Sequence, residues 1–347
     1  MDSVTQIVLG ASVGEAVLGK KIGNKAALWG AVAGTIPDLD VLASPFLDTV
    51  GELTFHRSVT HSILFCVLAS PFFAWLLHKW YSRTTKFKDW VWLFFLGFFT
   101  HTLLDTCTTW GTQLLYPFSH YGFATYSVFV VDPFYTIPFM ALLIAAMCYP
   151  KISNKRRWLN TLGLFVSTAY LGLGFFNQQI ADKVFERALQ AQGIQSERHI
   201  TKATPLNAFL WTATAETPDG YYTGFYSIFD KSQAVDFLYA PKNHTLLSTL
   251  EMTPKLQRLL EVTKGYYTVE KEGSDTYLIN DLRFGQFDGW KGKAEGKFVF
   301  TYAVSEQDGQ QTFEQRQYRF KPDMAYMKAF FSRVMGNPTE ALSYQMK

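Results

Sequence analysis

Between Trp90 and Pro150 the only Asp, Glu, Lys or Arg residues are Asp105 and Asp132. A soluble domain carries about 25% charged residues, so a stretch this long and this bare belongs in lipid. A hydrocarbon core about 30 Å thick takes roughly 20 apolar residues wound as a helix, because unpaired backbone groups cannot be left there. Residues 58–78, 90–109, 128–149 and 159–176 reach that length, and 26–43 is a weaker candidate interrupted by Pro37. A sixth segment, 4–18, is short and carries Glu15, as a re-entrant or bundle-internal helix would. The expected fold is therefore an α-helical transmembrane bundle of about five spans plus a short N-terminal helix, over 1–177, followed by a soluble α+β domain over 178–347.

At 347 residues the chain exceeds what one core usually holds, and its apolar material is concentrated before Asn177. A net charge of +3 gives no basic stripe for nucleic acid. The basic residues instead fall between apolar runs: Lys20, Lys21 and Lys25; Lys79, Arg83, Lys86 and Lys88; Lys151, Lys155, Arg156 and Arg157. Placing all three clusters on the cytoplasmic side makes the spans alternate consistently. The loop 109–127, free of Lys and Arg, and everything beyond Asn177 then face outward, giving an extracytoplasmic C-terminal domain. The start Met1-Asp2-Ser3 lacks the basic region of a cleaved signal, and the three cysteines, Cys66, Cys107 and Cys148, suggest no disulfide framework.

The C-terminal part opens with an amphipathic helix at 179–191. Strands at 209–216 and 221–229 flank the turn Pro218-Asp219-Gly220, with further strands at 266–271, 276–282, 298–304 and 311–320, and helices at 254–262 and 324–335.

Ionisable groups at membrane depth cost about 2.5 kcal/mol or more each, so each is a candidate functional group. Asp38 and Asp40 lie where Pro37 breaks a span, His56, Arg57 and His61 open the next, and His101 and Asp105 are four apart on one helix face. With Asp132, all fall in the outward halves of their helices under the topology above. Imidazole nitrogen with carboxylate oxygen suits Zn²⁺, Mn²⁺ or Fe²⁺ better than Mg²⁺ or Ca²⁺. His56 and His61, about 140° apart on a continuous helix, reach one ion only if His56 precedes the helix, with Ser58 or Thr60 as its N-cap. A metal-activated water is then the nucleophile, Asp40 or Asp105 the base, and Arg57 a clamp for an anionic substrate group.

Blander roles compete. Any one intramembrane His or Asp can be a bundle-packing residue, Asp132-Pro133 can simply cap a helix, Arg57 can anchor at the interface, and Gln6 and Glu15 can be helix contacts. No His-Glu-x-x-His zincin motif occurs.

In Met1-Asp2-Ser3-Val4-Thr5-Gln6, Pro37-Asp38-Leu39-Asp40, His56-Arg57, Thr60-His61-Ser62 and Thr100-His101-Thr102-Leu103-Leu104-Asp105, continuing through Thr108-Thr109-Trp110-Gly111-Thr112-Gln113 and Val131-Asp132-Pro133, the chain resembles the YdjM-like family of predicted membrane-bound metal-dependent hydrolases. The resemblance covers the membrane half and implies Asp38, Asp40, His56, His61, His101 and Asp105 as the metal set, with Gln6 standing where many members have His. The expected function is hydrolysis of a lipid-linked or envelope substrate at the outer side, using a divalent ion, Zn or Mn foremost. Ion or proton-coupled transport, or a membrane anchor for a binding domain, are the rival readings.

Overall fold

The computed structural model describes residues 1–292, 296–307 and 310–337. It divides into two compact units, each with its own interior. The first takes Met1–Phe46, Thr54–Phe175 and Pro205–Asn207; the second takes Leu47–Leu53, Phe176–Thr204 and the described residues from Ala208 on.

The first unit is helical. Helix α1 (Ser3–Ile22) starts at Asp2, whose carboxylate accepts the Thr5 N–H, and turns at Gly23 into α2 (Asn24–Thr35). These two helices pack backbone to backbone through Gly10 and Gly14 on one and Gly30 and Gly34 on the other, where any Cβ would overlap a carbonyl of the partner helix. Small residues are what allow such approach in a bilayer, since lipid supplies no hydrophobic drive to hold helices together. Beyond Thr35 the chain tightens into a 3₁₀ segment, Ile36–Phe46; the short α3 (Thr49–Phe55) that follows belongs mostly to the second unit. Next come α4 (Ile63–Tyr81), α5 (Phe87–Thr106), α6 (Pro133–Met147) and α7 (Asn154–Ala191).

Polarity in this unit is inverted relative to a soluble bundle. Glu15 is buried against Arg156, which reaches both its carboxylate oxygens at 2.6 Å, while Ser12 and Asn160 pair beside them at 2.7 Å. Leu68, Phe72, Trp75 and Trp80 on α4, and Trp158 and Phe165 on α7, are exposed. Large apolar surface turned outward, with the charged and polar pairs kept inside, is the expected arrangement for helices solvated by acyl chains.

Among the described residues, three helical stretches are long and apolar enough to cross a membrane, Asn24–Phe46, Ile63–Tyr81 and Asn154–Ala191, with Pro133–Met147 a shorter apolar helix. The expected number of spans, about five, is thus met by fewer by length and composition. The run 58–78 becomes α-helical only at Ile63 and 128–149 only at Pro133, where Ser62 and Asp132 cap the helices. The segment 4–18 is longer than expected, and most of α1 is buried inside the bundle. Arg156, counted above as a loop charge, is an interior helix clamp.

The second unit is α+β. The helix expected at 179–191 is the uninterrupted continuation of α7, since no Gly or Pro separates it from the preceding apolar run after Gly174. One antiparallel sheet runs in the order β1 (Arg198–Ala203), β2 (Leu210–Glu216), β3 (Gly220–Ser227), β4 (Phe237–Pro241). Helix α8 (Pro254–Val262) precedes a second meander of β5 (Tyr267–Glu272), β6 (Thr276–Asp281), β7 (Thr301–Gln307) and β8 (Gln310–Arg316), after which α9 (Met324–Val334) follows. The edge strands β1 and β4 escape the sequence pattern: one is short and basic without alternation, the other ends in Pro241. The strand expected at 298–304 is displaced to Thr301–Gln307, because Phe298 is taken up in an isolated bridge to Gln286.

Candidate functional site

Three local features deliver the polar residues of the helical unit to one place. At the end of α2 the tight 3₁₀ turns starting at Ile36 carry Asp38 and Asp40 out of the helical register. Ahead of α4, residues 56–61 form a turn and a short 3₁₀ segment, so both His56 and His61 precede the helix. The cap of α4 is Ser62, which accepts the Phe65 N–H at 3.0 Å, in place of the expected Ser58 or Thr60. On α5, His101 and Asp105 share a face by their i,i+4 spacing.

Asp38, His61, His101 and Asp105 each bring a ligand atom within 4.8 Å of the others. His61 Nε2 and His101 Nε2 are 3.2 Å apart. Asp38 Oδ1 lies 3.4 Å from the first and 3.5 Å from the second, and Asp105 Oδ2 lies 3.4 and 3.9 Å from them. Donors held about 2.0–2.2 Å from a tetrahedral ion stand about 3.3–3.6 Å from each other. The set therefore fits one divalent cation.

The outer hydrogen bonds settle which imidazole nitrogens are bare. His101 Nδ1–H donates to the Gly34 carbonyl at 2.7 Å. His61 Nδ1–H donates to Thr60 Oγ1 at 3.0 Å, and the Thr60 hydroxyl donates in turn to Asp40 Oδ2 at 3.2 Å. Each ring spends its proton on that bond, leaving a lone pair on Nε2 aimed at the common centre. Two facing lone pairs repel unless a cation or proton lies between them.

Asp105 is fully buried. Its Oδ1 meets the α-ammonium group of Met1 and accepts from Gln6 Nε2 at 2.9 Å. Oδ2 has no hydrogen-bond partner among the described residues, although Arg57 Nε stands 3.0 Å away. The approach is close enough for charge compensation but not aligned for a bond. Arg57 takes φ +61°, a left-handed conformation that costs a non-glycine residue ~1–3 kcal/mol. That twist points its backbone N–H at Asp40 Oδ2, 3.0 Å, while Nη1 donates to Thr108 Oγ1 at 3.0 Å. The guanidinium is thus turned into the protein toward Asp105.

His56 and Asp40 stand apart from the four-residue set and pair with each other, Nδ1 to Oδ1 at 3.0 Å, with the His56 side chain 32% exposed and Asp40 buried. Asp132 caps α6 through Phe134 N–H and accepts the Tyr170 hydroxyl at 2.8 Å; it is not one of the four. Glu15 is engaged with Arg156. The Gly34 carbonyl escaped the sequence reading, and Thr60 and Thr108 entered it only as a cap candidate and as part of a family segment, because a hydroxyl or carbonyl beside a charged motif carries no distinctive spacing.

Comparison with known proteins adds to this geometry. The inner membrane protein YbcI of Escherichia coli (strain K12) is 32% identical over 117 residues, which is 32% of this chain and 66% of YbcI. The uncharacterized protein YfhP of Bacillus subtilis (strain 168) is 30% identical over 151 residues, 41% of this chain and 45% of YfhP. The match thus spans less than two thirds of either relative. No solved structure matches. Residues 1–181, which include all four clustered ligands and the groups around them, match the family described as YdjM inner membrane protein. With just over half of its length matched, the chain belongs to the YdjM inner membrane protein family.

Proposed function

We propose that this inner-membrane protein is a metal-dependent hydrolase acting on a lipid-linked or envelope substrate at the outer face of the membrane. The arrangement that carries the proposal is the pair of bare Nε2 atoms on His61 and His101, 3.2 Å apart between two carboxylates. Asp38, His61, His101 and Asp105 hold the cation, with Zn²⁺ or Mn²⁺ suited to two nitrogens and two oxygens. A divalent ion supplies Lewis acidity and makes water acidic enough to react near neutral pH.

The chain's own groups do the rest. Gly34 and Thr60 lock the imidazole tautomers. Arg57 and Gln6 keep Asp105 fixed and its charge balanced. His56, oriented through Nδ1 by buried Asp40, presents a half-exposed ring that carries a proton to or from the substrate, its ring centroid 6.0 Å from that of His61. Exposed Leu42 and Phe46 on the 3₁₀ segment and Phe118 in the loop after α5 give the unit apolar surface for a substrate with an acyl or isoprenoid portion. A hydrolase is favoured over a transporter because Glu15, the further buried acid along α1, is closed off by its two contacts with Arg156 and extends no relay. The finer topology belongs to the same proposal: α5 and α6 complete five spans, the Lys-rich loops lie in the cytoplasm and the C-terminal unit lies outside.

The test is elemental analysis of detergent-purified protein alongside hydrolysis of chromogenic acyl and phosphoryl esters in the same micelles. Wild type should carry stoichiometric Zn or Mn, and His61→Ala and Asp105→Asn should lose both metal and turnover. His56→Gln should keep the metal and lose about 10²-fold or more in kcat. Metal-free wild type, or ligand variants that retain full metal, would refute the proposal.

A further inference from the structure

A second set of mixed donors lies in the other unit. Asp182 and Glu186 are one turn apart on the C-terminal part of α7, and His199 is on β1; each contributes a ligand atom within 4.8 Å of the other two. Their meeting follows from matched periodicities. Gln178, Asp182 and Glu186 recur every four residues on one helix face, and His199 and Thr201 share one face of the strand. The helix is laid along the strand by Gln178 Nε2, which donates to the Thr201 carbonyl at 2.7 Å. One turn on, Asp182 Oδ1 accepts from the Thr201 hydroxyl at 2.5 Å and lies 2.9 Å from His199 Nε2. One turn further, Glu186 brings a second carboxylate to the same imidazole and is itself exposed.

We propose that Asp182, Glu186 and His199 form a second divalent-metal site, separate from the membrane cluster, that clips α7 to the edge strand β1. Two carboxylates face one half-buried imidazole, so the group carries excess negative charge that a single His–Asp hydrogen bond leaves uncompensated. A dication removes the excess, taking the place of the proton now shared between His199 Nε2 and Asp182 Oδ1. One nitrogen and two carboxylate oxygens suit Zn²⁺, Mn²⁺ or Fe²⁺ over Ca²⁺ or Mg²⁺, which prefer oxygen alone. Three protein ligands leave positions for water, and the exposure of Glu186 gives the ion a way in from solvent. The ligands come from two elements, so binding stabilises their docking and raises the folded unit's resistance to heat.

The experiment uses the full chain in detergent, stripped with chelator and titrated with Zn²⁺ by calorimetry, in wild type, Glu186→Gln and His199→Ala. The same series is run in a His61→Ala background, which separates this site from the membrane cluster. Glu186→Gln should weaken one class of binding at least about tenfold. It should also reduce the Zn²⁺-induced rise in melting temperature, and abolish it in the His61→Ala background, while leaving the metal-free melting temperature unchanged, since Glu186 is exposed. His199→Ala should abolish that class altogether, also in the His61→Ala background. Zn²⁺ affinity and thermal shift unaltered by Glu186→Gln would overturn the site, whatever the outcome at His61 and Asp105.

Discussion

A buried cationic side chain must find a carboxylate or give up its proton, and this protein uses both solutions. Arg156 takes Glu15, and Arg283 takes Asp281, each with its guanidinium almost fully buried. Lys202 on β1 has no such partner among the described residues: its Nζ donates to the carbonyls of Leu282, at 2.8 Å, and Arg283. Burial pushes its pKa down to about 7, with Asp281 opposing only in part. A neutral amine still has two N–H bonds for the two carbonyls. Lys264 is pushed down to about 8, also by burial. Both folded-state values lie below the unfolded value of about 10.4, so between them the unfolded chain binds more protons. Stability should therefore climb as pH rises from about 7 toward 10, Lys202 contributing at most about 1.4 kcal/mol per pH unit. Thermal melting of the full chain between pH 6.5 and about 9.5 checks this. Wild type should melt progressively higher, Lys202→Met should show a shallower rise that begins near pH 8, where Lys264 titrates, and a flat wild-type profile would sink the assignment.

At the scale of elements, the meeting of α1 with α2 is the contact on which the membrane cluster depends, because α2 delivers the Gly34 carbonyl and leads into the 3₁₀ segment that carries Asp38, while α1 delivers Gln6. The four interfacial glycines are required by close approach, not by backbone conformation. Gly14→Leu should force the helices apart, lower the yield of folded protein and lower metal content together. Gly172→Ala is the matched control, since no atom lies within 4 Å of where its Cβ would be, and it should purify and bind metal as wild type does. Equal behaviour of the two variants in size-exclusion profile and metal content would contradict this account.

At the scale of the whole molecule, the question is which side of the membrane each unit occupies. If the basic loops are cytoplasmic, single cysteines at exposed Ser232 or Ser274, in a variant with Cys66, Cys107 and Cys148 replaced, should react with a membrane-impermeant maleimide in intact spheroplasts. One at exposed Ser82 should react only after lysis. The reverse pattern would invert the topology and place the proposed hydrolase on the cytoplasmic face.

Composition alone separates a lipid-solvated helical half from a β-rich half, because hydrophobic run length and charge sparsity are local quantities that survive in a linear string. The same holds for the i,i+4 pairing of His101 with Asp105 and for the hairpin at Pro218-Asp219-Gly220, where helix geometry and turn chemistry act over a few residues. The sequence does not say that α1 would be buried through its glycines, that α7 would run unbroken from Asn154 to Ala191, or that His56 would turn to Asp40 while His61 turned to His101. Those outcomes are set by which backbones approach which, and by the left-handed twist at Arg57. Where a side chain has two partners within reach, the choice belongs to packing, since the free-energy difference arises from neighbours distant along the chain, 16 residues away for His56 and Asp40 and 51 for Arg57 and Thr108.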